Sequence, residues 1–170
     1  MNTRHAIVPT PLGDLTVVAS GESLVGVYFP HHWYLPPSAE LGPETDAGQD
    51  PPLARAAAQL GEYLAGERTS FDLATETHGD PLQEQVWAML RRIPFGTTTT
   101  YGALAEQLGN KGLAQTVGQA VGHNPLSIIV PCHRVVGSNG KLTGFAGGLS
   151  RKQRLLELEE PAEVRAGRLF

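Results

Sequence analysis

A cysteine, a histidine and an arginine stand next to one another in the last third of the chain. Cys132 is the one cysteine among 170 residues, and it directly follows Pro131 and the apolar residues 128–130. A thiolate is the strongest nucleophile among protein side chains, and it forms readily beside a base or a positive charge. His133 and Arg134 provide both. The pattern therefore predicts nucleophilic chemistry at Cys132.

An inert, buried thiol is the alternative, because free cysteine is among the most buried residue types. The neighbouring residues favour a reactive group. Residues 126–130 predict a short buried strand, since the stretch is too short for a helix and rich in β-branched side chains. Pro131 cannot continue a strand's hydrogen-bond ladder, which places Cys132 at the strand end. We expect an exposed, activated thiol there, which survives best in a reducing compartment.

The first half of the chain is typical of a small sheet. Residues 6–9, 15–19 and 24–29 predict the strands of an antiparallel meander. Residues 30–52 hold six prolines and little periodicity, which predicts an irregular surface loop. A helix is expected over residues 53–65, and the alternation in residues 71–75 predicts another strand. The helix's apolar stripe comprises Leu53, Ala57, Leu60 and Leu64.

The second half predicts mostly helices. Asp80 and Pro81 are typical of a helix N-cap and of the first helical position. Two short helices are expected at residues 101–108 and 113–121, separated by a glycine-containing turn at residues 109–112. This is a helix-turn-helix pattern, whose second helix enters a DNA groove in many proteins. Plain helix packing is the alternative, because the second helix has no Lys or Arg.

Composition limits the class of protein. The chain is 41% hydrophobic and 18% charged, with a formal net charge of −4, as expected for an ordinary globular protein of one or two domains. Neither a membrane span nor a signal peptide is predicted, so we expect a cytoplasmic protein. Residues 1–79 carry a net charge of −7 and residues 80–170 a net charge of +3, which weakly favours contact between the second half and an anionic partner. The histidines at positions 5, 31 and 32 are expected at the surface rather than in a zinc site.

Four motifs together resemble the O6-alkylguanine-DNA alkyltransferase family. They are Pro-Cys-His-Arg-Val at 131–135, His-Asn-Pro at 123–125, Gly-Gly-Leu at 147–149 and Leu-Leu-Glu-Leu-Glu at 155–159. The resemblance is strongest between residues 81 and 159. It implies an α+β fold: a ribonuclease H-like domain over residues 1–79, with a small antiparallel sheet and a helix, then a mostly helical, winged-helix-like domain over residues 80–160. Residues 161–170 are expected to form a tail.

The resemblance also implies a reaction. The Cys132 thiolate would irreversibly accept the alkyl group of O6-alkylguanine, or of O4-alkylthymine, in double-stranded DNA. This single-turnover transfer needs neither cofactor nor metal, and a monomer would carry it out after the base is extruded from the duplex. By the same resemblance His133, oriented by Glu159, accepts the thiol proton through a water. Asn124 holds the turn around the cysteine, and the Tyr101 hydroxyl assists the leaving guanine.

The resemblance further implies a set of residues that bind the substrate or the DNA. These are Ala114, Gln115, Thr116, Val121, Arg134, Val135, Phe145, Ala146 and Gly147. Two of them depart from the family pattern. Gln115 stands where the family usually has the arginine that replaces the extruded base, and a glutamine stacks poorly compared with a guanidinium. Phe145 stands where a tyrosine is usual, so the pocket should be more apolar.

Other functions stay open at this point. The same thiol chemistry could act on a free nucleobase or another small alkylated donor, or the chain could bind DNA lesions without reacting. A cysteine hydrolase would pair Cys132 with a distant histidine such as His123, His78 or His5. A zinc-dependent deaminase is excluded, because it needs a second cysteine. Arg151, Lys152 and Arg154 open the last predicted helix, where they would contact phosphate or solvent.

Overall fold

A computed structural model describes residues 2–140 and 144–161. Its strands and helices follow the order β1 (Thr3–Val8), β2 (Leu15–Ser20), β3 (Ser23–Tyr28), α1 (Ser38–Leu41), α2 (Pro51–Leu64), α3 (Pro81–Arg91), β4 (Thr99–Thr100), α4 (Tyr101–Gln107), α5 (Ala114–Gly122), β5 (Val135–Val136) and α6 (Leu149–Glu159). The chain divides into two compact units. The first comprises Met1–His78 with Pro125–Ile129, and the second comprises Gly79–Asn124 with the chain from Val130 onward.

The first unit is built on the predicted meander. β1, β2 and β3 form an antiparallel sheet in that order, with Val17 paired to Ala6 on one side and to Val27 on the other. Helix α2 begins at the Asp50 N-cap and contributes a buried apolar face. That face comprises Pro52, Leu53, Ala56, Leu60 and Tyr63. The predicted stripe is therefore correct at positions 53 and 60 and shifted by one residue at the other two.

Both edges of this sheet are hydrogen-bonded to chain segments outside it. Along β1, the His5 N–H donates to Pro43 O at 3.0 Å, and the His5 carbonyl accepts from Thr45 at 2.8 Å. Along β3, Leu24 exchanges hydrogen bonds with residues 74 and 76, and the Val27 N–H donates to Pro125 O at 2.8 Å. Covered edges are protected from pairing with other chains. Residues 30–52 are thus less irregular than predicted, since they contain α1 and part of this covering segment.

Two predicted strands are wrong. Residues 71–75 alternate in burial as predicted, yet only Thr75 forms a bridge, with Leu24. Residues 126–130 are fully buried but form turns apart from a single bridge at Leu126. The reason is local geometry: Ile128 has a φ of 72°, outside the range of a strand, and the Ile129 N–H donates to Ser127 O two residues back. The apolar run indicates burial rather than extended pairing.

The second unit is helical, as predicted. Helix α3 begins with a capping box in which Asp80 and Gln83 bind each other's backbone N–H groups, and the Trp87 indole N–H donates to Ala120 O of α5 at 2.8 Å. Helices α4 and α5 are joined through Gly109, with a φ of 92°, and a 3-10 turn at Lys111–Leu113. A sheet in the first unit and helices in the second confirm the α+β class.

The described residues also bear on three sequence-based expectations. Within them, no helix has both the length and the apolar character needed to cross a membrane. The same residues contain no group of three His, Cys, Asp or Glu side chains placed to share a metal ion. His32 is buried, so its predicted surface position is wrong. The predicted tail lies outside the described residues, apart from Pro161.

Candidate active site

Cys132 begins a tight 3-10 turn, Cys132–Arg134, rather than ending a strand. The Cys132 N–H donates to Val130 O at 2.7 Å, and the Arg134 N–H donates to Pro131 O at 3.1 Å. The chain then enters β5, which pairs in parallel with β4. Because β4 leads directly into α4, this pairing ties the cysteine turn to the start of the helix that carries Tyr101.

The residue after the cysteine belongs to a buried network. His133 Nε2 lies 2.7 Å from Glu159 Oε2, and both side chains are almost completely buried. Arg134 donates from Nε to Glu159 Oε1 at 2.7 Å and from Nη2 to Oε2 at 2.9 Å. Its Nη1 donates to Ile93 O at 2.6 Å. One carboxylate therefore binds an imidazole and a guanidinium at the same time.

Burial and charge determine the protonation of this network. Burial, together with the positive charges of Arg134 and Lys152, lowers the pKa of His133 well below its usual value, so the ring is neutral at neutral pH. Burial raises the pKa of Glu159 to about 8, although a hydrogen bond from the Gly96 backbone N–H lowers it in part. The two hydrogen bonds from the guanidinium favour the carboxylate, and we assign the ionised form. A neutral His133 beside an ionised Glu159 then donates its Nε2 proton to the carboxylate.

The other nitrogen of this ring is placed to act as a base. In the described part of the chain, His133 Nδ1 is buried without a hydrogen-bond partner. Buried polar atoms in native proteins are nearly always satisfied, and an exception calls for a functional explanation. With the Nε2 proton directed at Glu159, Nδ1 carries a lone pair that can accept a proton.

Cys132 itself is more enclosed than the sequence predicted. Its residue is only 5% exposed, so the expected exposed thiol is wrong. Burial raises the pKa of the Cys132 thiol, while a hydrogen bond from Asn124 and the charge of Lys152 lower it. Asn124 also donates from Nδ2 to Val130 O at 2.9 Å, which holds the chain just before the cysteine. The resting thiol is therefore protonated, in a site that contains groups favouring the thiolate.

Tyr101 occupies the first position of α4, after the Thr100 N-cap, and is half-buried. Its ring lies against Gly118 of α5, where a Cβ would be 3.7 Å from the tyrosine Cδ1. The Lys152 ammonium lies 6.0 Å from the ring centroid. Tyr101 is therefore close to both α5 and α6, in the same unit as the cysteine turn.

The predicted substrate and DNA residues fall into three groups. Gln115 and Thr116 are exposed in the first turn of α5, next to the half-buried Ala114. Val121 and Val135 are buried. Phe145, Ala146 and Gly147 are buried in the segment that precedes α6.

Two positively charged residues differ from their predicted roles. Arg134 is buried, and its guanidinium binds Glu159 and Ile93 O, so it anchors the carboxylate instead of contacting DNA. Lys152 is 0% exposed, which contradicts both a phosphate contact and a solvated helix face. A signal was present, because Lys152, Leu155 and Glu159 are spaced by three and four residues and share one helix face.

A small meander followed by a helical unit, in which a buried cysteine precedes a His–Glu–Arg network, defines a thiol-bearing helix-turn-helix protein. Two family models match the chain. The model described as 6-O-methylguanine DNA methyltransferase, ribonuclease-like domain, matches residues 3–77, and the DNA binding domain of the same description matches residues 81–161. The chain belongs to the 6-O-methylguanine DNA methyltransferase family.

Individual relatives agree over nearly the whole length. A methylated-DNA--protein-cysteine methyltransferase of Mycobacterium bovis is 43% identical over 163 residues, which cover 94% of this chain and 96% of the relative. One from Methanosarcina acetivorans is 41% identical and covers 91% and 97%. The crystal structure of Mycobacterium tuberculosis OGT in complex with DNA has a TM-score of 0.82 at 39% identity, covering 95% of this chain and 97% of that one.

Proposed function

We propose that this protein repairs alkylated double-stranded DNA by moving the alkyl group of O6-alkylguanine, or of O4-alkylthymine, onto Cys132 in a single irreversible turnover. The observation that carries the proposal is the buried His133 ring next to Cys132: its Nε2 is bound by Glu159, and its Nδ1 has no hydrogen-bond partner among the described residues. The related OGT was solved with DNA, which supports DNA over a free nucleobase as the donor. We further propose that the protein acts as a cytoplasmic monomer.

The first step forms the nucleophile. The thiol proton of Cys132 passes through a water to His133 Nδ1, whose basicity is supported by the Nε2 hydrogen bond to Glu159. Arg134 compensates the carboxylate, so the imidazolium is stabilised without Glu159 taking the proton. Asn124 donates a hydrogen bond to the sulfur, which favours the thiolate. Burial keeps the thiol protonated at rest and therefore limits reaction before a base is bound.

The second step transfers the alkyl group. The sulfur attacks the alkyl carbon, so that an S–C bond forms while the C–O6 bond breaks and its electron pair moves into the purine. The Tyr101 hydroxyl donates to the purine ring, and the Ala146 N–H donates to the oxygen, so both act on charge that develops as the bond breaks. The proton lost by the thiol is matched by the proton gained by guanine. The thioether has no route back to a thiol, which makes the transfer irreversible.

DNA engagement is assigned to the first turn of α5. Gln115 and Thr116 are exposed there, whereas Val121 on the buried face of the same helix would pack against an extruded base. An uncharged Gln115 fills the space left by an extruded base less well than the arginine that is usual in the family. Phe145 is buried and lacks a hydroxyl, which makes the alkyl pocket apolar.

Intact-mass measurement with peptide mapping tests this function. The protein is incubated with a duplex containing one O6-methylguanine, and separately with the free methylated base. We expect one methyl group per chain, located on the peptide containing Cys132, with faster uptake from the duplex. Cys132→Ser should gain no mass. Steady turnover would indicate a hydrolase, and tight binding of the modified duplex with no mass gain would indicate a lesion binder, so either result contradicts the proposal.

A further inference from the structure

Arg151 is a positively charged residue in the first turn of α6, and the reaction described above gives it no role. The N-terminal end of a helix carries a partial positive charge, so a cation in the first turn is unfavourable there. The N-cap of α6 is Gly148, which has no side chain to accept the N–H groups of that turn, and the turn contains no acidic residue. An arginine at this position therefore needs a compensating contact.

The compensating contact is with the turn that precedes the helix. Residues 145–148 form this turn, in which the Gly148 N–H donates to Phe145 O at 2.9 Å. The Arg151 guanidinium folds back on the turn, and its Nη1 donates to Gly147 O at 3.0 Å. Arg151 is half-buried and Gly147 is buried. Because a charged donor forms a stronger hydrogen bond than a neutral one, this contact restrains the Gly147 carbonyl.

Two successive glycines make this turn hard to fix through the backbone alone. Gly148 has a φ of 95°, in the left-handed region, and Gly147 directly precedes it. Glycine loses more conformational freedom on folding than any other residue, so a segment with two glycines has many conformations to exclude. Gly147 O belongs to the peptide group between the two glycines. The hydrogen bond from Arg151 therefore fixes the orientation of that peptide group.

The same turn contains the backbone N–H that the proposed reaction assigns to the guanine oxygen. Ala146 is the second residue of the turn and is 7% exposed. A donor of this kind stabilises developing charge well only when it is held in place before the reaction begins. Only Gly147 and Gly148 separate Ala146 from the helix. Conformational freedom of the two glycines would therefore also displace the Ala146 N–H.

We propose that Arg151 is a positioning residue for the alkyl transfer: its hydrogen bond to Gly147 O holds residues 145–148 so that the Ala146 N–H stays directed at the guanine oxygen. The inference rests on the proposed function and deepens it. In this role Arg151 acts through the turn and takes no part in proton transfer. Formation of the Cys132 thiolate depends on other groups, so it should be independent of Arg151.

The test compares two alkylating reagents on four proteins: the wild type, Arg151→Met, Arg151→Lys and Arg92→Met. Free O6-benzylguanine reports the transfer, and because it carries no phosphate, an effect on its rate cannot come from a phosphate contact. Iodoacetamide reports the thiol without a leaving guanine. Arg92→Met is the matched control, because it removes one positive charge from an exposed position in the same unit. Intact mass gives both rates.

Two further measurements separate the turn from the chemistry. Amide hydrogen exchange of the peptide that contains residues 145–149 shows directly whether the turn is held, without any alkylating reagent. Thermal unfolding of each protein shows whether a substitution acts on the whole fold. Both are recorded for all four proteins.

We expect Arg151→Met to lower the maximal rate with benzylguanine about tenfold, because removing one such donor costs about 10²–10³-fold and displacing it costs less. The half-saturating concentration should change less than about twofold, since the donor acts on charge that develops as the bond breaks. The iodoacetamide rate should equal that of the wild type at every pH. Exchange of residues 145–149 should be faster, with little change in thermal stability.

The other two variants check the cause of this selective loss. Arg151→Lys keeps a charged donor and should recover most of the benzylguanine rate, whereas Arg92→Met should match the wild type with both reagents. An arginine that only stabilised the fold would not separate the two reagents. Equal slowing with both reagents, or a wild-type benzylguanine rate in folded Arg151→Met, would overturn the inference and leave the alkyl transfer standing.

Failure of this inference is distinguishable from failure of the proposed function. If the wild type takes no benzyl group, the proposed function fails, while hydrogen exchange still decides whether Arg151 holds the turn. Unchanged exchange of residues 145–149 in Arg151→Met overturns the inference whatever the reagents show. Should Arg151→Met not fold, Arg151→Ser, whose side chain is too short to reach the Gly147 carbonyl, must show the same selective loss or the inference is overturned.

Discussion

Glu159 binds two partners at once, and its carboxylate is the group whose loss should matter most to the site. Glu159→Gln leaves the buried Arg134 guanidinium without its counter-charge. We expect a loss of about 3 kcal/mol in the free energy of unfolding, measured by urea denaturation, together with slower alkyl transfer because His133 loses its acceptor. Glu157→Gln is the control on the same helix, where the carboxylate is exposed. Equal denaturation midpoints for Glu159→Gln and the wild type would show that the ion pair does not stabilise the fold.

His32 gives the first unit a pH-dependent stability. Its ring lies against Tyr28 and Phe29, and its Nδ1 accepts the Phe29 N–H at 3.4 Å. Burial lowers the pKa of His32 to about 4, so the unfolded chain binds a proton more readily than the folded one. The stabilisation contributed by the neutral His32 ring is therefore complete above pH 6.5, and it is lost as the pH falls from there towards 4.

We expect the His32 contribution to amount to about 2 kcal/mol between pH 7 and pH 5. In His32→Gln, which keeps an acceptor but does not titrate, the loss of unfolding free energy over this range should be smaller by that amount. His133 shifts in the same direction and remains in both proteins, so only the difference is assigned to His32. Parallel pH profiles for the two proteins would contradict the assignment.

Cys132, His133 and Arg134 stand out in the sequence because they are adjacent, whereas Glu159 is paired with His133 only through the family resemblance. The structure places His133 Nε2 2.7 Å from Glu159 Oε2, and the catalytic roles stay predictions. The burial of Arg134 has no local signal of this kind. The spacing of Lys152 with Leu155 and Glu159 shows a shared helix face, but not whether a charged residue on that face is buried. The burial of Arg134 and Lys152 depends on tertiary partners, namely Glu159 and the Tyr101 ring.

On helix α5, Gln115 stands where the resemblance places an arginine in the family, and we expect this difference to affect the reaction with duplex DNA. Gln115→Arg should increase the rate with O6-methylguanine duplex by roughly tenfold, equivalent to the ~1–2 kcal/mol that a stacked guanidinium contributes. The rate with free benzylguanine should not change, because no base has to be extruded. Gln119→Arg adds the same charge one turn later and should strengthen DNA binding without increasing the rate at saturating duplex. Equal acceleration with both substrates, or none, would contradict the role of position 115.

Helices, turns and strands were predictable where short-range sequence signals determine them. The Asp80 cap, the turn glycines and the three meander strands have strong local signals, and they were found within a few residues. Alternation in residues 71–75 and β-branched side chains in residues 126–130 both predict a strand. Neither pattern shows whether a neighbouring strand pairs with more than one residue of the segment. In addition, Ile128 adopts a φ of 72°, which β-branched residues rarely take.

At the scale of the whole molecule, the first unit includes Pro125–Ile129 from the second half of the chain. A fragment of residues 79–170 would retain this segment but lack Val27, its hydrogen-bonding partner. We expect such a fragment to aggregate more than a version in which residues 125–129 are replaced by glycine and serine. Light scattering and circular dichroism measure the difference. Cooperative unfolding of the unmodified fragment at the temperature of the full chain would contradict this expectation.

The predicted boundary between residues 79 and 80 stays a prediction, and it separates Pro125–Ile129 from the other residues of the first unit. A single crossover at that point, as in a chimera of two relatives, would combine one parent's β3 with the other parent's residues 125–129. In this chain the Asn124 side chain donates to Val130 O at 2.9 Å, which links the two residues that flank the segment. A chimera that keeps its packing intact must therefore take residues 1–78 and 125–129 from the same parent. We expect substitutions in these two segments to be coupled during evolution.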